Sequence, residues 1–375
     1  MSKEKLKIIS KKEIKRFSRS IQDLEALIFQ REKEDEFNLL QLLIHENCGN
    51  QICQPGRRQK DYSPTDWGDY WAEKKTYQKN SDIFSYYTMG NEESKCCILV
   101  LHGGGFSGLS FSLFGKQLRE MTDCFIIAPD IRGHGDSRCE DETSLSIESL
   151  TEDMVSFYEE IVQHRATVII GHSMGGALAV HVSHRTPCIG LVVIDVVEGS
   201  ALEALPSMEV ILRGRPGKFK SVDQAIEWAV RTNYIKNLQS AKISMPGQVQ
   251  DKSPSAVDST DQIWRINLSE TANYWRGWFE GLSEKFLSAP QVKMLLLAGM
   301  DRLDTALTVG QMQGKFQLSV MPTAGHAIHE DEPRKVAELI ATFITRHKFA
   351  DANPNFTPQC AIPGLGGLGR MRAMM

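Results

Sequence analysis

The sequence predicts an α/β fold in which a mostly parallel central sheet is flanked by helices and carries an inserted helical cap. Three observations predict it. Short β-branched and apolar runs alternate with stretches of helical spacing, the pattern of successive βαβ units. One of these runs, Val168-Ile169-Ile170, ends in Gly171-His172-Ser173-Met174-Gly175 and passes at once into a small-residue helical pattern. Between Asp195 and Val292 the strand pattern stops and a mixed helical stretch takes its place.

In chain order, residues 1 to about 60 form a charged N-terminal extension, helical or partly disordered. It opens with Lys3, Lys5, Lys7, Lys11, Lys12, Lys15, Arg16 and Arg19, followed by leucines at helical spacing and a linker at Gln54-Pro55-Gly56. Residues 61–350 form the main domain. Ile83, Phe84, Tyr86 and Tyr87 fit an antiparallel edge strand. Cys96–Leu101 and Cys124–Asp130 read as strands buried on both faces, and residues 144–162 as a helix. Thr167–Ile170, Ile189–Ile194, Val292–Ala298 and Phe316–Val320 complete the strands, and Val336–His347 is a closing helix. The cap spans about 199–290. Inside it, Gln248 to Thr260 is polar and reads as a mobile loop. Residues 351–375, rich in glycine near the end, read as a flexible tail.

The totals exclude several classes. The chain has 375 residues, 41% of them hydrophobic and 24% charged, with a formal net charge of -4, which gives no general nucleic-acid signal. No run is long and apolar enough to span a bilayer, and the charged start lacks the apolar core of a secretory signal. Eight scattered cysteines match no zinc spacing; reduced thiols in the cytosol or nucleus are expected.

The chemistry-bearing residues all fall at carboxyl ends of strands, where ligand sites of parallel sheets lie. Gly-x-Ser-x-Gly between a strand and a helix is a nucleophile elbow, with Ser173 exposed at a strained turn and small flanking residues giving clearance. Serine needs a general base. His326, between the last strand and the closing helix, fits that role, with His329 as its rival. The acid that would orient the base is Asp195 or Asp301; both end strands, and Asp304 follows in the same loop as Asp301. The loser is expected to serve as a turn or helix-cap aspartate. An oxyanion hole requires two N–H donors. Met174 after the nucleophile supplies one, and the His102-Gly103-Gly104-Gly105 turn the other, at Gly104. Arg132-Gly133-His134-Gly135 reads as structural.

The elbow and the His102–Gly105 turn resemble the α/β-hydrolases. Longer blocks resemble the protein phosphatase methylesterase family: Asp61-Tyr62-Ser63-Pro64, Ile194-Asp195-Val196-Val197-Glu198-Gly199, Leu212-Arg213-Gly214-Arg215-Pro216, Gly299-Met300-Asp301-Arg302-Leu303-Asp304, Gly310–Phe316 and Gly325-His326-Ala327-Ile328-His329-Glu330-Asp331. The resemblance runs from about residue 60 to 350. It implies Ser173 as nucleophile, His326 as base and Asp195 as acid, with Asp301 as the fallback. It also implies hydrolysis of the C-terminal leucine methyl ester on the catalytic subunit of type 2A protein phosphatase, through an acyl-enzyme and with no metal or cofactor. That subunit is the expected partner, in the cytoplasm and also the nucleus; no nucleic acid or membrane partner is expected. The family carries a long acidic cap loop, whereas Gln248–Thr260 is short and not strongly acidic. The cap aromatics with Arg213 and Arg215 are candidates for a substrate groove or for plain packing. Two other readings compete: a small-molecule carboxylesterase or thioesterase of the same fold, and a phosphatase-binding protein with secondary catalysis.

Overall fold

Alternation within single strands shows how the core is divided. Ile98 and Val100 face one side of the sheet and Leu99 and Leu101 the other, and all four are fully buried. Such a strand needs cover on both faces, and the chain supplies helices on both. The computed structural model describes residues 60–252 and 261–358. The predicted basic extension and its linker, residues 253–260 of the predicted polar loop and the end of the tail lie outside the described residues. The residues from Tyr62 onward form one unit.

Ten strands are formed among the described residues: β1 Glu73–Lys79, β2 Asp82–Met89, β3 Cys97–Leu101, β4 Phe125–Pro129, β5 Thr167–His172, β6 Gly190–Ile194, β7 Val249–Asp251, β8 Gln262–Trp264, β9 Val292–Leu297 and β10 Gln317–Val320. Eight make the main sheet in the order β1-β2-β4-β3-β5-β6-β9-β10. From β4 to β10 every pairing is parallel; β1 and β2 add an antiparallel hairpin at one edge. The chain leaves β3 for β4 on one side and returns to β5 on the other. That reversal opens a crevice at the carboxyl ends of β3 and β5.

The helices are α1 Ser112–Met121, α2 Ile147–Phe157, α3 Met174–Ser183, α4 Glu198–Arg213, α5 Val222–Arg231, α6 Leu238–Ser244, α7 Ala272–Phe279, α8 Leu282–Ser288, α9 Thr305–Met312, α10 Ile328–Asp331 and α11 Pro333–Arg346. On one face, Leu150, Met154 and Phe157 of α2 and Leu178 and Val182 of α3 pack against Leu99 and Ile169. On the other, Phe114 and Leu118 of α1 and Ile340 and Phe343 of α11 pack against Ile98 and Val168. Local signals set the helix ends. Ser146 caps α2 by accepting the Ser149 N–H at 3.1 Å, and Pro333 opens α11, three residues before the expected start.

Between β6 and β9 the chain inserts α4 to α8, as the cap expectation required. The cap has a core of its own, with Phe219, Ile226, Ile235 and Met245 buried and Trp228, Tyr234 and Trp264 packed around them. The predicted cap aromatics divide: Trp275, Trp278 and Phe279 belong instead to the main core, where the Trp278 indole donates to the Leu145 carbonyl.

Four expectations are corrected. The strand at Ile83–Tyr87 is antiparallel but is not the edge, because β1 pairs along its outer side. The start of the polar stretch Gln248–Thr260 is not loop: β7 lies in it and pairs with β8, which follows the stretch. A helix, α9, stands at Thr305–Met312, where only a motif block was seen, started by the Asp304 carboxylate accepting the Leu307 N–H. Finally, the tail does not leave the domain at residue 351. Asp351 accepts the Asp123 N–H, Asn353 donates to Met121, and Lys95 pairs with Asp351, so residues 351–353 are laid along the end of α1.

Candidate active site

The turn from β5 into α3 holds Ser173 at φ 53° and ψ -120°, a conformation that side chains rarely adopt. Its N–H donates to the Ile194 carbonyl at 2.9 Å, pinning the turn to β6. The neighbouring glycines have no room for more. A Cβ on Gly171 would lie 2.0 Å from the Gly175 carbonyl oxygen, and one on Gly175 would lie 2.3 Å from the carbonyl oxygens of both Leu101 and His102. The helix therefore starts against the end of β3, and the serine is left half-buried at the crevice.

His326 reaches this turn through its neighbour. His172 donates from Nε2 to the His326 carbonyl at 2.9 Å, and the two rings lie 4.7 Å apart. His326 Nδ1 lies 2.8 Å from Asp195 Oδ2. A carboxylate only accepts, so Nδ1 carries a proton, and in the neutral ring Nε2 keeps its lone pair. Asp195 follows β6, at φ 54°, with its side chain fully buried. Its Oδ1 accepts the Ala298 N–H at 2.9 Å, and its Oδ2 also accepts from Arg302 Nη1. Each carboxylate oxygen of Asp195 therefore also accepts from the loop after β9.

Of the remaining acids, Asp301 stands in the turn Met300–Arg302, beside that arginine, and the structure does not describe its side chain. Asp304 is a helix cap: Oδ1 takes the Leu307 N–H and Oδ2 the Ser283 hydroxyl. The rival histidine, His329, is buried flat against Phe111 with ring centroids 4.3 Å apart. Neither of its nitrogens has a hydrogen-bond partner among the described residues. Burial pushes its pKa down to about 3.

The glycine turn after β3 lies against the elbow. A Cβ on Gly103 would sit 3.3 Å from Ser173 Cβ, and one on Gly104 3.8 Å from Met174 Sδ. Two histidines brace the turn from below. His134 accepts the Gly105 N–H at Nε2 (2.9 Å) and donates from Nδ1 to the Arg132 carbonyl (2.8 Å). His102 accepts the Ile131 N–H at Nε2 and donates to Gly103. These bonds fix both as neutral tautomers, and burial agrees, lowering the His134 pKa to about 4. The Gly105 N–H is thus used up. The N–H groups of Gly104 and Met174 have no acceptor among the described residues.

The loop carrying His326 is gripped by the cap. Asp331 accepts the N–H groups of Gly325 (2.6 Å) and Lys236 (2.8 Å). The Lys236 ammonium donates to the Thr323 carbonyl. Ser240 and Ser244 of α6 donate to the Glu330 carbonyl and carboxyl, and burial raises the pKa of that carboxyl well above its ordinary value. The sequence reading gave no role to Arg302, to the bracing of His134 or to this grip. The only signals available were the Asp301-Arg302 and Glu330-Asp331 pairs inside longer blocks.

A hydroxyl on a strained turn, an imidazole bonded to a buried carboxylate, and two unused N–H donors suit ester chemistry. Among the described residues no group of histidine, cysteine or acidic side chains could hold a metal ion. Comparison with known proteins places this chemistry. A family model described as the alpha/beta hydrolase family matches residues 98–339. Protein phosphatase methylesterase 1 of Homo sapiens is 42% identical over 356 residues, covering 83% of this chain and 91% of the human protein. The same-named protein of Schizosaccharomyces pombe is 36% identical, covering 87% and 94%. The chain belongs to the protein phosphatase methylesterase family. It is a hydrolase. A probable methylesterase of this family from Caenorhabditis elegans is also 42% identical, covering 82% of this chain and 83% of the worm protein. The fold extends well beyond the methylesterases: E-2-(acetamidomethylene)succinate hydrolase superposes with a TM-score of 0.61 at 19% identity, over 73% of this chain and 99% of that one.

Proposed function

We propose that this methylesterase removes the methyl group from the C-terminal leucine ester of the type 2A protein phosphatase catalytic subunit, with Ser173, His326 and Asp195 as its catalytic residues. The observation that carries the reading is the Asp195–His326 hydrogen bond, in a fold that leaves the N–H groups of Gly104 and Met174 unused beside Ser173. The names of the family relatives support the substrate class.

Ser173 Oγ attacks the ester carbonyl carbon as His326 Nε2 takes the hydroxyl proton. Asp195 holds the ring in the required tautomer and faces the charge that forms on it. The carbonyl oxygen becomes an oxyanion between the N–H groups of Met174 and Gly104. The carbon–methoxy bond then breaks, the proton passes from His326 to the methoxy oxygen, and methanol leaves. Water attacks the acyl-serine, giving one proton to His326. When the second tetrahedral species breaks down, that proton returns to Ser173 Oγ, and the leucine carboxyl leaves, giving its remaining proton to solvent as the carboxylate.

The test is incubation of carboxymethylated phosphatase core enzyme with the wild-type protein and with Ser173→Ala. The wild type is expected to strip the methyl group and Ser173→Ala to lose at least about 10⁴-fold in rate. No loss of methyl with the wild type refutes the substrate. Equal loss with both proteins refutes Ser173 as nucleophile. Tight docking without turnover by either would favour the phosphatase-binding reading instead.

A further inference from the structure

The cap covers the ends of the strands beside Gly105 and bounds a cavity of about 340 Å³. Twelve described residues line it, and Arg215 is the only ionisable one among them. Leu212, Ile263, Trp264, Ile266 and Leu268 make much of the remaining wall apolar. The guanidinium lies between two rings, its central carbon 4.9 Å from the Tyr234 centroid and 5.2 Å from that of Trp264. Those contacts, with a hydrogen bond to the Tyr234 hydroxyl, hold its plane and leave the rest of its edge for ligands. Nη1 lies 3.9 Å from the position a Cβ would take on Gly105, next to the Gly104 donor.

Other arginines nearby have counter-charges. Arg213, two residues earlier and exposed, pairs with Glu209; Arg265 pairs with Glu142, and Arg302 with Asp195. Arg215 forms no ion pair with any described carboxylate. Of the two arginines in the Leu212–Pro216 block, only Arg215 therefore faces the site. A half-buried cation in an apolar wall, stacked on two rings and bonded to the Tyr234 hydroxyl, gives up hydration and is left without a counter-charge. An anion brought in by the ligand would restore the balance, and the surrounding apolar wall would strengthen the pair.

We propose that Arg215 forms an anion-binding subsite that takes an acidic side chain of the substrate polypeptide, close upstream of the ester. The inference rests on the esterase reading for the placement of the ester and adds a requirement to it: the cleaved tail carries a carboxylate within a few residues of its end. Arg215 acts by binding and takes no part in bond making.

The test is a binding ratio on Ser173→Ala protein. Fluorescent peptides ending in a leucine methyl ester carry aspartate at the first, second or third residue before the leucine. Each is compared by anisotropy with its asparagine counterpart. At least one aspartate peptide is expected to bind about tenfold more tightly than its counterpart. The preference should vanish in Ser173→Ala/Arg215→Met and return in part with Arg215→Lys. Each ratio is internal to one protein, so a partly unfolded variant cannot imitate the result. Equal binding within every pair, or a preference that survives the loss of Arg215, overturns the proposal. Methanol release by the wild-type protein is scored separately. An Arg215-dependent preference without turnover would retain the subsite and refute the esterase reading. Turnover of both peptides with the same KM would do the reverse.

Discussion

Asp195→Asn is expected to lower kcat for ester hydrolysis by about 10⁴-fold, with a far smaller change in KM. The reason is a count of donors. Asp195 receives the Ala298 N–H on one oxygen and both His326 Nδ1–H and Arg302 on the other. An asparagine must place its NH₂ group at one of these positions. Facing His326, the amide makes Nδ1 an acceptor and moves the ring proton to Nε2, where it blocks removal of the serine proton. Facing Ala298, it sets donor against donor, and the side chain turns back. Either outcome leaves the packing volume unchanged, so thermal unfolding should be affected much less than turnover. Asp301→Asn is the companion measurement and should stay within about tenfold of wild type. If steady-state kinetics showed the larger loss in Asp301→Asn, the acid would have been misassigned.

Gly175→Ala is expected to prevent stable folding. Its new Cβ would meet two backbone carbonyl oxygens at 2.3 Å, and neither can rotate away as a side chain would. Relief requires α3 to withdraw from the end of β3, which opens the middle of the sheet. A cost above about 4 kcal/mol is expected, a large share of the stability of an ordinary domain. Gly217→Ala is the control, since its Cβ would meet nothing within 4 Å and its effect should stay within about 0.5 kcal/mol. Circular dichroism and denaturant midpoints decide the matter: a Gly175→Ala protein that unfolds like wild type would contradict this account of the elbow.

The two predictions differ in how far sequence could support them. The glycine requirement was legible, because a strand running into Gly-x-Ser-x-Gly and then into small residues has few other uses. The acid was not: spacing puts Asp195 and Asp301 each at the end of a strand, and the resemblance favoured Asp195. What sets Asp195 apart physically is the Ala298 N–H, which lies 103 residues away in sequence. The bracing of the glycine turn by His134 also depends on a contact across 29 residues. Strand β1 was missed because Glu73-Lys74-Lys75 and Gln78-Lys79 read as solvent-facing, and its apolar support comes from one ring, Tyr77, stacked on Phe84. Strands β7 and β8 span three residues each, too few for a period of two to register. Periodicity thus finds elements that bury their own faces and misses those held by a partner.

Ser173 and Asp195 share one feature: each is a side-chain-bearing residue at φ near +54°. Such a conformation costs roughly 1–2 kcal/mol that glycine would not incur. The fold therefore keeps two of its three proposed catalytic positions uphill. Directed evolution scored only on heat tolerance would be drawn toward glycine at position 173, yielding sturdier and inert proteins. A Ser173→Gly variant that melts above wild type would show that pull directly, and one that melts below it would mean the surroundings have already absorbed the strain. Any screen for a more durable form of this enzyme must therefore score turnover in every round.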